Sequence, residues 1–264
     1  MRKTLDNVFT SADGSVIVDK DFLVVVDAGC EEKTVKDFMK LSLEEKKPIS
    51  HIFLTHFHWD HAENTKIFRK HFPNLVVIGH ENNYKAKKKI KERKTMNLGS
   101  FNYTVILTPG HSPRMDDICI LLEELGVIFV GDLCQPQGNK FEAVDFVTSV
   151  PYFHDGKKYI ESLKKILKMD FKFMITGHGK VYNEKHAFEA LEITLKTVEK
   201  MKHAAINLYK NNPKLSERKL ADMIFEEVSK QRNFHGKRRL SEDYHEIDMV
   251  GLRYWVKYAK RCWR

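Results

Sequence analysis

The chain has 264 residues, 42% of them hydrophobic, which suffices for one large domain, or a domain with an appendage, around a sizeable core. Lys and Arg number 45 against 36 Asp and Glu; the resulting net charge of +9 suits an anionic substrate or partner. A membrane span and a disulfide scaffold are excluded, because no apolar stretch is long enough and the four scattered cysteines form no C-x-x-C; with no signal-peptide pattern at the start, a cytoplasmic protein is expected.

Ser15–Val18 and Phe22–Val26 read as strands, with Asp19-Lys20-Asp21 as the turn between them. The second strand runs into Asp27-Ala28-Gly29-Cys30, where Asp27 is either a plain turn residue or the support of a nearby site. Residues 31–47 read as a helix stopped by Pro48, with Val35, Phe38, Met39, Leu41 and Leu43 on or near its apolar face. The run Ser50-His51-Ile52-Phe53-Leu54 is a buried strand that feeds Thr55-His56-Phe57-His58-Trp59-Asp60-His61. His56, His58, Asp60 and His61 are ligand types in close sequence. Imidazole suits zinc and iron, and a carboxylate adds a harder donor of opposite charge.

A helix over 62–71 and a strand over 75–78 come next. Strands alternating with helices imply a layered α/β fold. The basic stretch 85–94 is either a phosphate-binding patch or, the simpler reading, a solvated helix and loop face. Phe101–Leu107 alternates as a half-exposed strand does. Thr108-Pro109-Gly110-His111-Ser112-Pro113 then forces a turn with His111 at its centre. Residues 118–122 and 127–130 read as a hairpin that ends in Gly131-Asp132. A helix over 156–169 precedes the short strand Phe173–Thr176, which ends in Gly177-His178-Gly179. Strand ends therefore present His56, His58, Asp60 and His61, then His111, then Asp132, then His178. These donors divide into two sites that share one carboxylate. Residues 184–211, 215–230 and 244–261 read as three helices, and the basic stretch 232–239 between the last two reads as a solvated loop.

Asp27-Ala28-Gly29, Thr55 to His61, Thr108-Pro109-Gly110-His111-Ser112, Gly131-Asp132 and Gly177-His178-Gly179 together resemble the metallo-β-lactamase-fold hydrolases. The resemblance covers about residues 10–180 and implies a four-layer αββα sandwich. A catalytic domain is thus expected over 1–183 and a helical extension over 184–264. By resemblance, His56, His58 and His111 hold one metal ion, Asp60, His61 and His178 hold a second, and Asp132 bridges them. Asp27 takes a supporting place beside the site.

The resemblance implies two divalent ions as cofactors, zinc foremost, with iron and manganese compatible. Asp132 as the bridge is unlike true β-lactamases, and His58 stands where the di-iron branch carries Glu. The pair Trp59-Asp60 looks closest to glyoxalase II-like proteins, although the glycine-and-arginine-rich continuation familiar after the bridging Asp is missing. The expected activity is hydrolysis of a small, anionic thioester, lactone or related ester by metal-activated hydroxide, with Asp60 also handling the proton. Phe57, Trp59, Tyr152, Phe153 and His154 are candidates for the mouth of the site, or ordinary packing residues. The alternatives are a phosphodiesterase or nuclease of the ribonuclease Z kind and a non-enzymatic nucleic-acid-binding module. Nucleic acid is the less favoured partner, because the chain has no long Gly-Pro-rich arm and the second alternative leaves seven ligand types without a purpose. No membrane partner is expected.

Overall fold

The computed structural model describes residues 1–136, 150–229 and 242–262. By contact the chain divides into two compact units, residues 1–133 with 169–187, and residues 134–168 with 188–264. The stretch 232–239 lies outside the described residues.

The first unit is built on two mixed sheets. One has seven strands in chain order: β1 (Arg2–Leu5), β2 (Val8–Thr10), β3 (Ser15–Val18), β4 (Leu23–Val26), β5 (Ile49–Phe53), β6 (Val76–His80) and β7 (Lys88–Ile90). Strands β1 to β4 form an antiparallel meander, and β4 to β7 run parallel. Parallel neighbours need crossovers. Helix α1 (Glu32–Glu45) joins β4 to β5, and α2 (Trp59–Ala62) with α3 (Thr65–His71) joins β5 to β6, whereas β6 and β7 are linked by turns over 81–87. The second sheet comprises β8 (Lys94–Leu98), β9 (Phe101–Leu107), β10 (Ile118–Leu122), β11 (Val127–Phe129), β12 (Phe173–Ile175) and β13 (Val181–Asn183), ordered β13-β12-β11-β10-β9-β8.

The period of two along a strand explains how β-branched runs bury both faces. In β4, Val24 and Val26 join Phe53, Tyr103, Val105, Ile120 and Phe129 in the core shared by the two sheets. Leu23 and Val25 face the other way and pack with Phe38, Leu41 and Phe68 from the helices. Phe53 and Tyr103 stack across the shared core with centroids 5.3 Å apart. Helix α1 stops at Lys46, whose φ of 55° turns the chain so that the Lys47 N–H donates back to the Ser42 carbonyl at 3.1 Å. The expected helix over 62–71 is broken at Asn64, whose amide donates to the carbonyls of Ala28 and Glu31 and fastens the turn after β4. Residues 85–94 are not helix and loop: they contain β7 and lead into β8. The lysines Lys88 and Lys89 lie on a strand at the sheet edge, where charge discourages edge-to-edge pairing.

The second unit contains α4 (Gly156–Ile166), α5 (Glu184–Asn211, most of its length), α6 (Glu217–Ser229) and α7 (Glu242–Cys262). Asp155 caps α4 by accepting from the N–H groups of Lys157 and Lys158 and also accepts from the Tyr254 hydroxyl, which fastens α4 to α7. Phe153 is fully buried here, stacked on Tyr159 and against Trp255, so it is a core residue and not a lining of the site mouth. Tyr152 and His154 belong to the same unit, with hydroxyl and Nε2 2.8 Å apart. No helix among the described residues is long and apolar enough to cross a membrane.

Candidate metal centre

All seven expected ligands lie in the first unit, at the ends of strands or just beyond them. The chain leaves β5 through Leu54 and Thr55, and the four-residue helix α2 then turns His61 back under the strand ends. The His61 carbonyl accepts from the N–H groups of Ala28 and Gly29, at 2.7 and 3.1 Å. Asp27 sits at the centre of this join. Its carboxylate accepts from the Thr55 N–H at 2.8 Å and the Thr55 hydroxyl at 2.8 Å, and lies 2.9 Å from His61 Nδ1. Of the two readings of Asp27, the support of a site is the one that this geometry matches.

The donor atoms fall into two groups, one of His56, His58 and His111, the other of Asp60, His61, Asp132 and His178. Within each group they lie within 4.8 Å of one another. His58 Nδ1 is 2.9 Å from His56 Nε2 and 3.2 Å from His111 Nε2. Asp132 lies between the groups: its Oδ2 is 3.5 Å from His111 Nε2 and 3.5 Å from His178 Nε2, and its Oδ1 is 3.3 Å from His61 Nε2. Asp60 Oδ2 is 3.7 Å from His61 Nε2 and 3.9 Å from His178 Nε2.

These spacings fit a metal ion. Metal–nitrogen bonds of about 2.0–2.1 Å in a tetrahedron hold ligand atoms roughly 3.3 Å apart. Three imidazole nitrogens turned toward one point cannot all donate protons to one another, whereas a cation at that point takes all three lone pairs. His61 makes the same case. Its Nδ1 is directed at Asp27, so Nε2, buried and without a hydrogen bond, faces the carboxylates of Asp132 and Asp60. A carboxylate behind a histidine fixes the ring orientation and raises its basicity as a ligand.

The electrostatics follow from burial and crowding. Burial and the neighbouring imidazoles of His61, His58 and His111 hold His56 well below the usual histidine range, so it is neutral and able to ligate. Burial pushes His61 down, but the Asp132 and Asp27 carboxylates push harder in the other direction, and its pKa stands well above the usual value. Burial raises Asp132, yet His61 and His178 outweigh it and keep the carboxyl well below the ordinary range. The centre is thus a place that collects positive charge around ionised oxygen.

Two residues absent from the sequence reading hold the His111 turn. The buried Asp117 carboxylate accepts from the Gly110 N–H at 3.1 Å and from the Ser112 N–H at 2.9 Å. Asp116 accepts from the Ser112 hydroxyl at 2.5 Å. Burial and the adjacent Asp116 push Asp117 well above the carboxylate range. An acidic pair immediately before the apolar strand β10 was the available signal. Glycine is required twice. A side chain at Gly177 would meet the His61 ring at 2.4 Å and Asp132 Oδ1 at 2.7 Å, and Gly131, at a φ of 50°, leaves room for the Thr55 hydroxyl. Of the expected mouth residues, Trp59 is 59% exposed, and Phe57 is half-buried with its ring 5.0 Å from that of His58.

The family described as "Metallo-beta-lactamase superfamily" matches residues 9–178. The chain is 29% identical over 162 residues to the atrochrysone carboxyl ACP thioesterase of Aspergillus fumigatus, covering 60% of this chain and 47% of that protein. It is 29% identical over 119 residues to a hydroxyacylglutathione hydrolase of Francisella tularensis subsp. novicida, covering 44% of this chain and 45% of that protein. Among solved structures, an inverting sec-alkylsulfatase from a Pseudomonas species superposes with a TM-score of 0.68 over 97% of this chain and 49% of that one. At 13% identity that likeness shows the fold alone. The chain spans about half the length of each of these three proteins.

Proposed function

The chain belongs to the metallo-beta-lactamase superfamily, and on that premise we propose that it is a binuclear metal-dependent hydrolase of small thioesters or related esters. One observation carries the reading: two groups of donor atoms converge at metal-ligand spacing, with Asp132 between them. His56, His58 and His111 would hold one ion, and Asp60, His61 and His178 the other, with Asp132 shared. Bound divalent ions would lower the pKa of a water toward neutrality and polarise the scissile carbonyl.

The chain's own residues supply the rest. Asp27 holds His61 in the tautomer that presents Nε2. Asp60 would orient the attacking water, accept its proton and deliver it to the departing sulfur or oxygen. The thioester preference is supported by two relatives whose names are those of a thioesterase and a hydroxyacylglutathione hydrolase. Zinc is the favoured metal because the donors are imidazole and carboxylate in a tight shell.

The test joins metal analysis of the purified protein to a panel of thioester, lactone and phosphodiester substrates. The expected result is about two equivalents of divalent metal and fastest turnover of a thioester. His58→Ala and Asp132→Ala should each remove activity by a factor of at least ~10³ and lower the metal content. Full activity in chelated, metal-free protein would overturn the proposal, and turnover of the phosphodiester alone would replace it with the nuclease reading.

A further inference from the structure

Arg114 stands in the turn that carries His111, and it is exposed. Its guanidinium carbon lies 5.1 Å from the centroid of the Phe57 ring and 4.9 Å from that of Tyr84, and the two rings are 6.1 Å apart. Phe57 is flanked in the chain by His56 and His58 and meets the His58 ring at 5.0 Å. The arginine therefore sits one aromatic ring away from the proposed metal centre. Its backbone is held on both sides. The Arg114 N–H donates to the Ser112 hydroxyl at 3.1 Å, and its carbonyl accepts from the Asn82 amide at 3.1 Å.

Nearby lysines differ from it. Lys85 is paired with Glu63 at 3.2 Å, and Lys91 with Glu81 at 3.6 Å. Among the described residues Arg114 has no carboxylate at ion-pair distance; its charge is felt at Asp116, whose Oδ1 accepts from the Ser112 hydroxyl. Ring faces attract a guanidinium without using its N–H groups, so the planar fork of donors is held in place and left available. Such a fork matches a carboxylate or phosphate in bidentate fashion. A solvated arginine with no role needs neither two rings nor two backbone anchors.

We propose that Arg114, seated on Phe57 and Tyr84, receives an anionic group, a carboxylate or phosphate, of the ester whose scissile bond lies at the metal centre. This rests on the hydrolase reading above and names the substrate class for it. The net charge of +9 is consistent with an anionic substrate.

The test uses two pairs of thioesters with the metal-loaded full chain. One pair differs only in a terminal carboxylate on the acyl group, the other only in a phosphate on the thiol. In Arg114→Gln, the ratio of kcat/KM for the anionic over the neutral member should fall about 10-fold or more in one pair, and Arg114→Lys should keep part of it. The pair that responds tells which side carries the anion, and an unchanged ratio in both pairs overturns the subsite. Binding of uncleavable thioether analogues, read by calorimetry, separates the two readings. Weaker binding of the anionic analogue to Arg114→Gln, with no ester turned over by either protein, keeps the subsite and removes the hydrolase reading. Equal binding to both proteins overturns the subsite whatever the turnover.

Discussion

Asp27 occupies a left-handed backbone conformation, with a φ of 61°, that few side chains accept. It is held there because three groups converge on its carboxylate: the Thr55 N–H, the Thr55 hydroxyl and the His61 ring. Its position therefore couples the turn after β4 to the ligand loop after β5. Asn is the residue best able to replace it without strain, since Asn also tolerates this conformation. The amide, however, brings a donor where His61 and Thr55 need acceptors. Asp27→Asn is expected to leave the fold intact while weakening metal binding roughly 10–100-fold. Metal titration followed by a thermal melt in excess chelator checks both halves. An unchanged affinity would mean that Asp27 does not govern the orientation of His61.

At the scale of elements, the turn over 108–113 shows how a loop histidine becomes a fixed ligand. The prolines and Gly110 bend the chain, but they do not fix the peptide planes. Asp117 does so, by taking the N–H groups of Gly110 and Ser112 into the interior. Asp117→Ala leaves both donors buried and unsatisfied, at about 1–3 kcal/mol each. A stability loss of about 2–6 kcal/mol in urea unfolding should accompany weaker binding at the His56–His58–His111 group, and Asp117→Asn should fall between. A stability loss without any change in metal content would place Asp117 outside the support of His111. The same turn marks the limit of what the sequence discloses. The ligands were legible because they cluster just past the ends of apolar runs, and His111, Asp132 and His178 also sit beside Gly. Arg114 acts through Phe57 and Tyr84, distant in the chain, and no local pattern reports those contacts; Asp117 acts on the nearby Gly110 and Ser112, and the acidic pair before β10 was its local signal. Among the strands, β3, β9 and β10 carry β-branched or alternating residues and stand at the expected bounds. Strands β1, β7 and β13 were missed because they are short edge strands, half-exposed or lysine-rich, whose pairing comes from the neighbouring strand and not from burial.

At the scale of the whole molecule, acid should act on stability apart from any loss of metal. His51, His80 and His154 lie outside the ligand set, and each is held below the usual histidine value of 6.5. Burial is the leading cause for all three, with Lys88 adding to it at His51, and Lys89 opposed by Glu81 at His80. Each ring nitrogen also has a local partner: Ser50 hydroxyl at His51 Nδ1, the Asn82 N–H at His80 Nδ1, and the Tyr152 hydroxyl at His154 Nε2. A folded pKa below the unfolded one means that the unfolded chain binds more protons in the interval between them. Stability from these groups is therefore complete above about pH 6.5 and is lost as pH falls through that value toward the folded pKa. For metal-free protein, the urea midpoint should drop between about pH 7.5 and about pH 5.5. The combined variant His51→Asn, His80→Asn and His154→Gln keeps an acceptor oxygen near each ring nitrogen's place but cannot titrate. Its midpoint should fall less over the same interval. Parallel pH slopes in the two proteins would assign the acid sensitivity to the buried histidines of the metal centre instead.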